Sequence, residues 1–307
     1  MKSCPHGPFS WLASNAWFLL TLAPLLWGGN AVAGKLAAGQ WPPFTLTLAR
    51  WVAAFLILLP FAMKPLRREW PQVKSRIPYV LLLGAVGMAC FNMLMYLALN
   101  YTTAINTSII QSSMPVFIML ANFLILSERA AVVQIVGLAL AILGVMITTT
   151  AGDPVSFFTG GLNIGDGLML LASVFYAAYG FGLRWKPEMH WLSFMLVISL
   201  SALLTSLPFA ARELMAAGEM PIIDTTGWLV LGYIVLFPTM VSQIAFARGV
   251  ELVGSNRAGL FINFVPIFGS LLAILIVGEA FRWYHGLGLV LVLGGIMMSE
   301  RARLPGR

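Results

Sequence analysis

Charge is what this sequence has least of. Only 9% of its 307 residues are Asp, Glu, Lys or Arg, against ~25% in soluble domains. Two cysteines (Cys4, Cys90) and three scattered histidines make neither a disulfide framework nor a ligand set with metal-site spacing. Acids are scarcer than bases, eleven against eighteen, and all of them, from Glu69 to Glu300, fall at helix ends or in loops. A charged residue at mid-bilayer costs ~2.5–3.5 kcal/mol on insertion scales, so one kept there usually marks an ion or proton site. Without one, proton coupling through a buried acid, as in small four-helix drug pumps, is not expected, and transport would be facilitated or weakly coupled. A polytopic metalloprotease is equally disfavoured, because it needs His and carboxylate ligands at helical spacing. An integral membrane enzyme needs a nucleophile–base pair or metal cluster at one depth, and none is present. The sequence therefore implies no cofactor and no metal.

What is present is hydrophobic: 60% apolar residues and a mean hydropathy of +0.90. Runs of about 20 such residues read as membrane-spanning helices. The net charge of +7 does not point to nucleic acid, because the basic residues sit in the loops between those runs. Ten runs are predicted, at about 15–38, 43–63, 77–99, 103–127, 130–151, 164–186, 190–211, 226–248, 256–278 and 281–300. A rival reading of the first takes Ala31-Val32-Ala33 as a signal-peptidase site. It is disfavoured by a charge-poor start, with Lys2 as the firm charge, and by a counterpart of the same segment at 164–186.

The chain repeats itself. Ala104 to Met146, shifted by 151 positions, lands on Ser255 to Met297 without a gap. Pro115 falls on Pro266, Phe117 on Phe268, Glu128 on Glu279, Gly137 on Gly288 and Gly144 on Gly295. Leu59-Pro60-Phe61-Ala62 recurs as Leu207-Pro208-Phe209-Ala210. Internal duplication is the reading that explains matched Pro, Glu and Gly at fixed spacing. It gives two halves, 14–151 and 163–300. Five spans is an odd number, so the halves must enter the membrane in opposite directions. Inverted repeats of this kind are typical of transporters, with the site near the midplane between repeats. The expected fold is all-α and integral to the membrane: ten transmembrane helices as two inverted five-helix repeats. With both termini in the cytoplasm, fourteen of the eighteen basic residues lie inside and three (Lys35, Arg212, Arg282) outside, a strong positive-inside bias. The expected location is the plasma (inner) membrane, in contact with the lipid bilayer and not with nucleic acid.

Neutral polar and aromatic residues remain at membrane depth. Trp27 and Asn30 share a face of span one, Asn92 and Tyr96 of span three, Tyr176 and Tyr179 of span six, by three- or four-residue spacing. Thr107, Ser108, Gln111, Pro115 and Asn122 run down span four; Gln243 lies in span eight; Asn256, Gly259 and Asn263 run down span nine. Each has a bland alternative. A lone Asn or Gln is often inter-helix glue, worth about 0.6 kcal/mol; a lone Tyr or Trp is more often packing or an interfacial anchor, as expected for Trp51, Trp70 and Trp228. Taken together, the set predicts a substrate cavity walled by spans one, three, four, six, eight and nine, whose polar groups change partners as the halves rock. The substrate-binding candidates are Trp27, Asn30, Asn92, Tyr96, Gln111, Tyr176, Tyr179, Gln243 and Asn263.

Three charged features carry weaker expectations. Arg50, the one cation well inside a span, is expected to be structural first and a partner for a substrate carboxylate second; Lys35 is a lesser carboxylate candidate. Glu128 and Glu279 are expected to sit at the N-terminus of the helix that follows each, with a gate ion pair such as Glu279–Arg282 as the alternative. The small residues of spans five and ten (Gly137, Gly144, Gly286, Gly288, Gly294, Gly295) allow close helix approach, within one monomer rather than across a dimer face.

The chain resembles the drug/metabolite transporter superfamily in its ten-helix EamA branch. The resemblance covers nearly the whole chain. It rests on the duplication, on Leu26-Trp27-Gly28-Gly29-Asn30 with Lys35, on Arg50, and on Pro115…Glu128…Gly137…Gly144 with its second copy. It implies export of amino acids, metabolites or small amphipathic compounds by alternating access. Within the family the chain looks most like the YddG-like aromatic amino acid exporters. Sugar-phosphate and nucleotide-sugar carriers of the superfamily are expected to hold phosphate with basic residues deep in the late helices. Here only Arg257 and Arg282 occur in spans nine and ten, both at ends, which counts against phosphorylated cargo. The expected function is export of small, neutral or zwitterionic, partly aromatic metabolites, amino acids first. The alternatives are a multidrug or lipid-intermediate exporter, or a membrane protein without flux.

Overall fold

A computed structural model describes residues 14–127, 131–157, 163–218 and 222–301, and all regular structure there is helical. In chain order the α-helices are α1 (Ala16–Ala37), α2 (Pro43–Val73), α3 (Ile77–Gly84), α4 (Phe91–Ala98), α5 (Ala104–Gln111), α6 (Met114–Leu126), α7 (Val132–Thr149), α8 (Ile164–Gly182), α9 (Trp191–Ala217), α10 (Thr225–Leu236), α11 (Ser242–Val253), α12 (Ser255–Ile262), α13 (Val265–Leu272) and α14 (Trp283–Arg301). Wide π-helical turns join α3 to α4 (Ala85–Cys90) and α10 to α11 (Phe237–Val241), and another follows α13 (Ala273–Val277).

Eight helical runs are long and apolar enough to cross a membrane, and Trp283–Ser299 adds a shorter apolar one. One of the eight, Pro43–Ala98, has 56 residues. Straight, it would reach about 84 Å, far beyond a ~30 Å hydrocarbon core. It is not straight: a 3-10 turn at Lys74–Arg76 interrupts it, and α4 packs back against α2.

Proline explains the other interruptions. It removes one N–H and clashes with the carbonyl four residues earlier. Pro115 and Pro266 end α5 and α12 just ahead of themselves, and the chain makes short turns at 112–113 and 263–264. The carbonyls of Ile109 and Ile110 accept from the backbone N–H groups of Ser112 and Ser113 and from the hydroxyls of the same two residues.

The most extensive helix packing joins α7 to α14 and α2 to α9. In the first pair, a Cβ on Gly137 would stand 2.4 Å from the Gly295 carbonyl oxygen, and one on Gly144 2.7 Å from that of Gly288. The expected small-residue seam therefore lies within the monomer. Gly286 and Gly294 take no part in it: a Cβ on Gly294 would meet nothing within 4 Å. In the second pair each helix caps the other. Glu213, near the end of α9, accepts from the backbone N–H groups of Phe44 and Thr45 at the start of α2 (3.2 and 2.8 Å). Glu69, near the end of α2, accepts from the N–H of His190 at the start of α9 (3.0 Å). A carboxylate at a helix N-terminus satisfies orphan donors and the dipole together.

Helix α1 packs mainly against α10, α11 and α13, whereas α8 packs mainly against α4, α5, α6 and the 85–90 turn. Close approach needs glycine here too. A Cβ on Gly28 would lie 2.6 Å from the Gly269 nitrogen, and one on Gly29 2.0 Å from the Tyr233 hydroxyl.

Candidate substrate site

The site centres on Arg50, on α2. Counted along α1 and α2, Asn30 and Arg50 lie about 10 Å from the helix ends at 37–43. Arg50 is 6% exposed and is held by neutral oxygens from three other segments. Its Nε donates to Thr239 Oγ1 (2.9 Å). Its Nη1 donates to Asn92 Oδ1 (2.8 Å), Tyr96 Oη (2.7 Å) and Asn30 Oδ1 (3.2 Å). The Tyr96 hydroxyl donates in turn to Asn30 Oδ1 (3.1 Å). The guanidinium carbon lies 5.2 Å from the ring centre of Trp51, a cation–π distance.

The two π turns aim the cage. A π turn leaves a backbone carbonyl without its usual helical donor. Asn92 Nδ2 donates to the carbonyl of Met88 inside the 85–90 turn (2.6 Å), which leaves its oxygen facing Arg50. Thr239, inside the 237–241 turn, donates its hydroxyl to the Ile234 carbonyl (2.7 Å), so a lone pair remains for Nε. The backbone irregularity thus supplies both acceptor orientations.

Of the sequence candidates, Asn30, Asn92 and Tyr96 meet on Arg50. Tyr176 packs as a tilted ring against Phe91 (4.9 Å between ring centres) and against Tyr179 (5.5 Å), so the aromatic pair adjoins the cage through the neighbour of Asn92. Trp27 stacks on Phe246 at 5.3 Å, outside the cage. Gln111, Gln243 and Asn263 are half-buried, and among the described residues none of them bonds to the cage. Thr107 and Ser108 are buried without hydrogen-bond partners. Asn122 accepts from Arg184 (2.5 Å), far from Arg50 in the chain order of both helices. The side chain of Asn256 and all of Glu128 lie outside the described residues.

Several expectations are corrected. Trp51 is not an interfacial anchor: it is 2% exposed and packs with Ala54, Ala89, Met93 and Ala202, because Arg50 and the α2–α9 packing hold its face inward. Lys35 is no carboxylate receptor; its Nζ donates to the carbonyls of Leu99 and Thr102 (2.9 and 2.7 Å) and caps the end of α4. Glu279 neither caps the helix that follows it nor pairs with Arg282. It accepts from the N–H groups of Ala104 and Ile105 (2.7 and 2.9 Å), at the start of α5. Asp166 stands in the first turn of α8, at a helix end as expected, and is buried there at 1% exposure. It accepts from Thr102 Oγ1 (2.5 Å) and from the Asn106 amide (3.1 Å), while Asn106 Oδ1 meets His285 Nε2 (3.1 Å). Among the described residues no acid lies near the middle of a span, as expected, so the weak-coupling expectation loses only the part that drew on the absence of any buried acid.

Membrane-length helices surrounding a buried, hydrogen-bonded cation define a multi-pass membrane protein with a polar centre. The sequence pattern of the EamA-like transporter family matches residues 15–150 and again 163–300. The chain belongs to that family and is a membrane transporter. Among curated proteins it is 26% identical to the uncharacterized transporter YetK of Bacillus subtilis, over 93% of this chain and 86% of that one. It is likewise 26% identical to a probable amino-acid metabolite efflux pump of Salmonella typhimurium, over 92% and 93%, and 22% identical to the uncharacterized inner membrane transporter YicL of the same organism, over 90% and 92%. A solved crystal structure aligns with a TM-score of 0.61 at 17% identity, covering 94% of this chain and 98% of its own, which shows likeness of fold.

Proposed function

We propose that this transporter exports small, partly aromatic zwitterionic metabolites, amino acids first, by alternating access at the Arg50 cage. The observation that carries the proposal is that one buried cation is shared by α1, α4 and the 237–241 turn. Substrate there would touch segments from both ends of the chain at once. The adjoining Phe91–Tyr176–Tyr179 cluster suits an aromatic or apolar side group. One relative, a probable amino-acid metabolite efflux pump, agrees with this reading.

The architecture behind it is ten spans in two inverted repeats, 14–151 and 163–300. Supporting this are the turn at Lys74–Arg76 that divides the 56-residue run, the shorter apolar helix at the end, the two family matches, and the similarly placed π turns at 85–90 and 237–241. The positive-inside bias supports a cytoplasmic position for both termini, and the same proposal takes the protein as an inner-membrane monomer.

Counterflow in proteoliposomes tests the function. Vesicles loaded with unlabelled amino acids should take up labelled Phe or Trp saturably, and Asn92→Ala should weaken that uptake about tenfold or more, the scale of a lost hydrogen bond to a charged group. Folded, inserted protein that moves no amino acid would turn the reading toward drugs or lipid intermediates.

A further inference from the structure

The Arg50 cage is unbalanced in two ways. First, every acceptor in it is neutral. Asn30, Asn92, Tyr96 and Thr239 solvate the guanidinium but leave its charge in place, and among the described residues no carboxylate pairs with it. A buried cation without a counter-charge is costly, and proteins ordinarily pair such groups. Second, its hydrogen bonds are lopsided. Three acceptors crowd onto Nη1 and one takes Nε. Nη2, with two N–H donors, has no partner among the described residues. A guanidinium presents five donors in a fixed fork that matches a carboxylate side-on, and here one prong is left over.

We infer that Nη2 of Arg50 receives the carboxylate of the cargo, so that the transported class is defined by a carboxylate rather than by an amine or by aromaticity alone. This rests on the cage being the substrate site, and sharpens it. The carboxylate supplies the missing counter-charge and two acceptor oxygens. One oxygen takes Nη2–H, and the other competes with Asn30, Asn92 and Tyr96 for Nη1–H. Asn30 has the longest of these bonds, 3.2 Å against 2.8 and 2.7 Å, and would yield first. Since Asn30 stands on α1 and Asn92 and Tyr96 on α4, cargo binding loosens Arg50 from α1 while leaving it tied to α4. The Trp51 ring lies 5.2 Å from the guanidinium carbon.

The test is a four-probe comparison on the full-length protein in proteoliposomes and in detergent. The probes are phenylalanine, phenylacetate (carboxylate, no amine), phenylalaninamide (amine, no carboxylate) and phenethylamine. Expected are counterflow and thermal stabilisation by the first two and neither by the last two. Arg50→Lys keeps the charge but loses the fork, and should raise the apparent KM for phenylalanine roughly 10- to 100-fold, the scale of a lost charge-assisted hydrogen bond. If Arg50→Lys does not fold, the wild-type stabilisation series decides alone. Equal transport of phenylalaninamide and phenylalanine would overturn the carboxylate assignment and leave the exporter reading standing. Failure of all four probes, with the protein folded and inserted, would overturn both.

Discussion

At the scale of single residues, the balance of the cage decides what each change does. Thr239→Val keeps the shape and removes the acceptor for Nε. It should cost about 1.5–3 kcal/mol, the range for hydrogen bonds to charged groups, and lower the thermal midpoint of the detergent-solubilised protein. Asn30→Asp works in the other direction. It places a carboxylate 3 Å or so from Nη1, within the reach of a strong ion pair, and supplies from inside what we assign to the cargo. The expected result is a higher thermal midpoint together with loss of phenylalanine counterflow; a variant that transports normally would show that Arg50 need not be free. Much of this was legible before the structure. Asn30, Asn92 and Tyr96 follow from polar residues at helical spacing in apolar spans. Arg50 could be singled out as the one mid-span cation but not placed at the centre, because an isolated basic residue in a sequence says nothing about which oxygens will surround it. Thr239 carried no signal of its own. Pro238 beside it marks a break in the helix, but a break alone does not say which hydroxyl turns toward a neighbour.

At the scale of helices, α1 is held by what it lacks. Gly28 and Gly29 bring it onto α13 and onto Tyr233 of α10. Gly28→Leu would drive a side chain into the backbone of Gly269, which no rotamer avoids, since even a Cβ would sit 2.6 Å from its nitrogen. We expect a loss of several kcal/mol, as for severe overpacking, seen as aggregation in size-exclusion chromatography. Gly294→Leu is the control, as space around it is open. The sequence marked the glycine seam of α7 and α14 well, because glycines at matched positions of a duplication are conspicuous. It did not show which helix would oppose Gly28. Nor could it show that Glu279 would cap α5: sequence spacing reveals contacts within a helix, whereas this carboxylate acts on a helix about 175 positions away in the chain.

At the scale of the molecule, eight helical runs are long and apolar enough to cross a membrane and a shorter apolar helix follows them, with one 56-residue run covering the ground of two predicted spans. What the duplication did not convey is how the two copies interlock. The opening helix of each, α1 or α8, packs into the territory of the other. Neither copy alone can bury its own apolar faces. Residues 1–157 expressed without the remainder should therefore fail to yield a stable monomer in detergent, and co-expression with residues 158–307 should restore a complex that runs as one species. Stable, separately purified halves would contradict the interlocked packing.

The reciprocal caps of α2 and α9 bear on how such a machine moves. Each helix grips the other at its start, by Glu213 at one end of the bundle and by Glu69 at the other, so the pair can neither slide nor splay without uncapping a helix terminus. It behaves as an axle. With α7 and α14 packed closely through their glycines as a second rod, both pairs would resist a swing of residues 14–151 against 163–300 as separate rigid bodies. Alternating access would then have to tilt mixed groups, α1 with α10, α11 and α13 against α8 with α4 to α6. Arg50 is mounted on the axle itself, with Asn30 on one swinging arm and Asn92 and Tyr96 on the other, so a cargo that rearranges its bonds acts at the pivot, where a small change in partners is converted into the largest displacement at the rims.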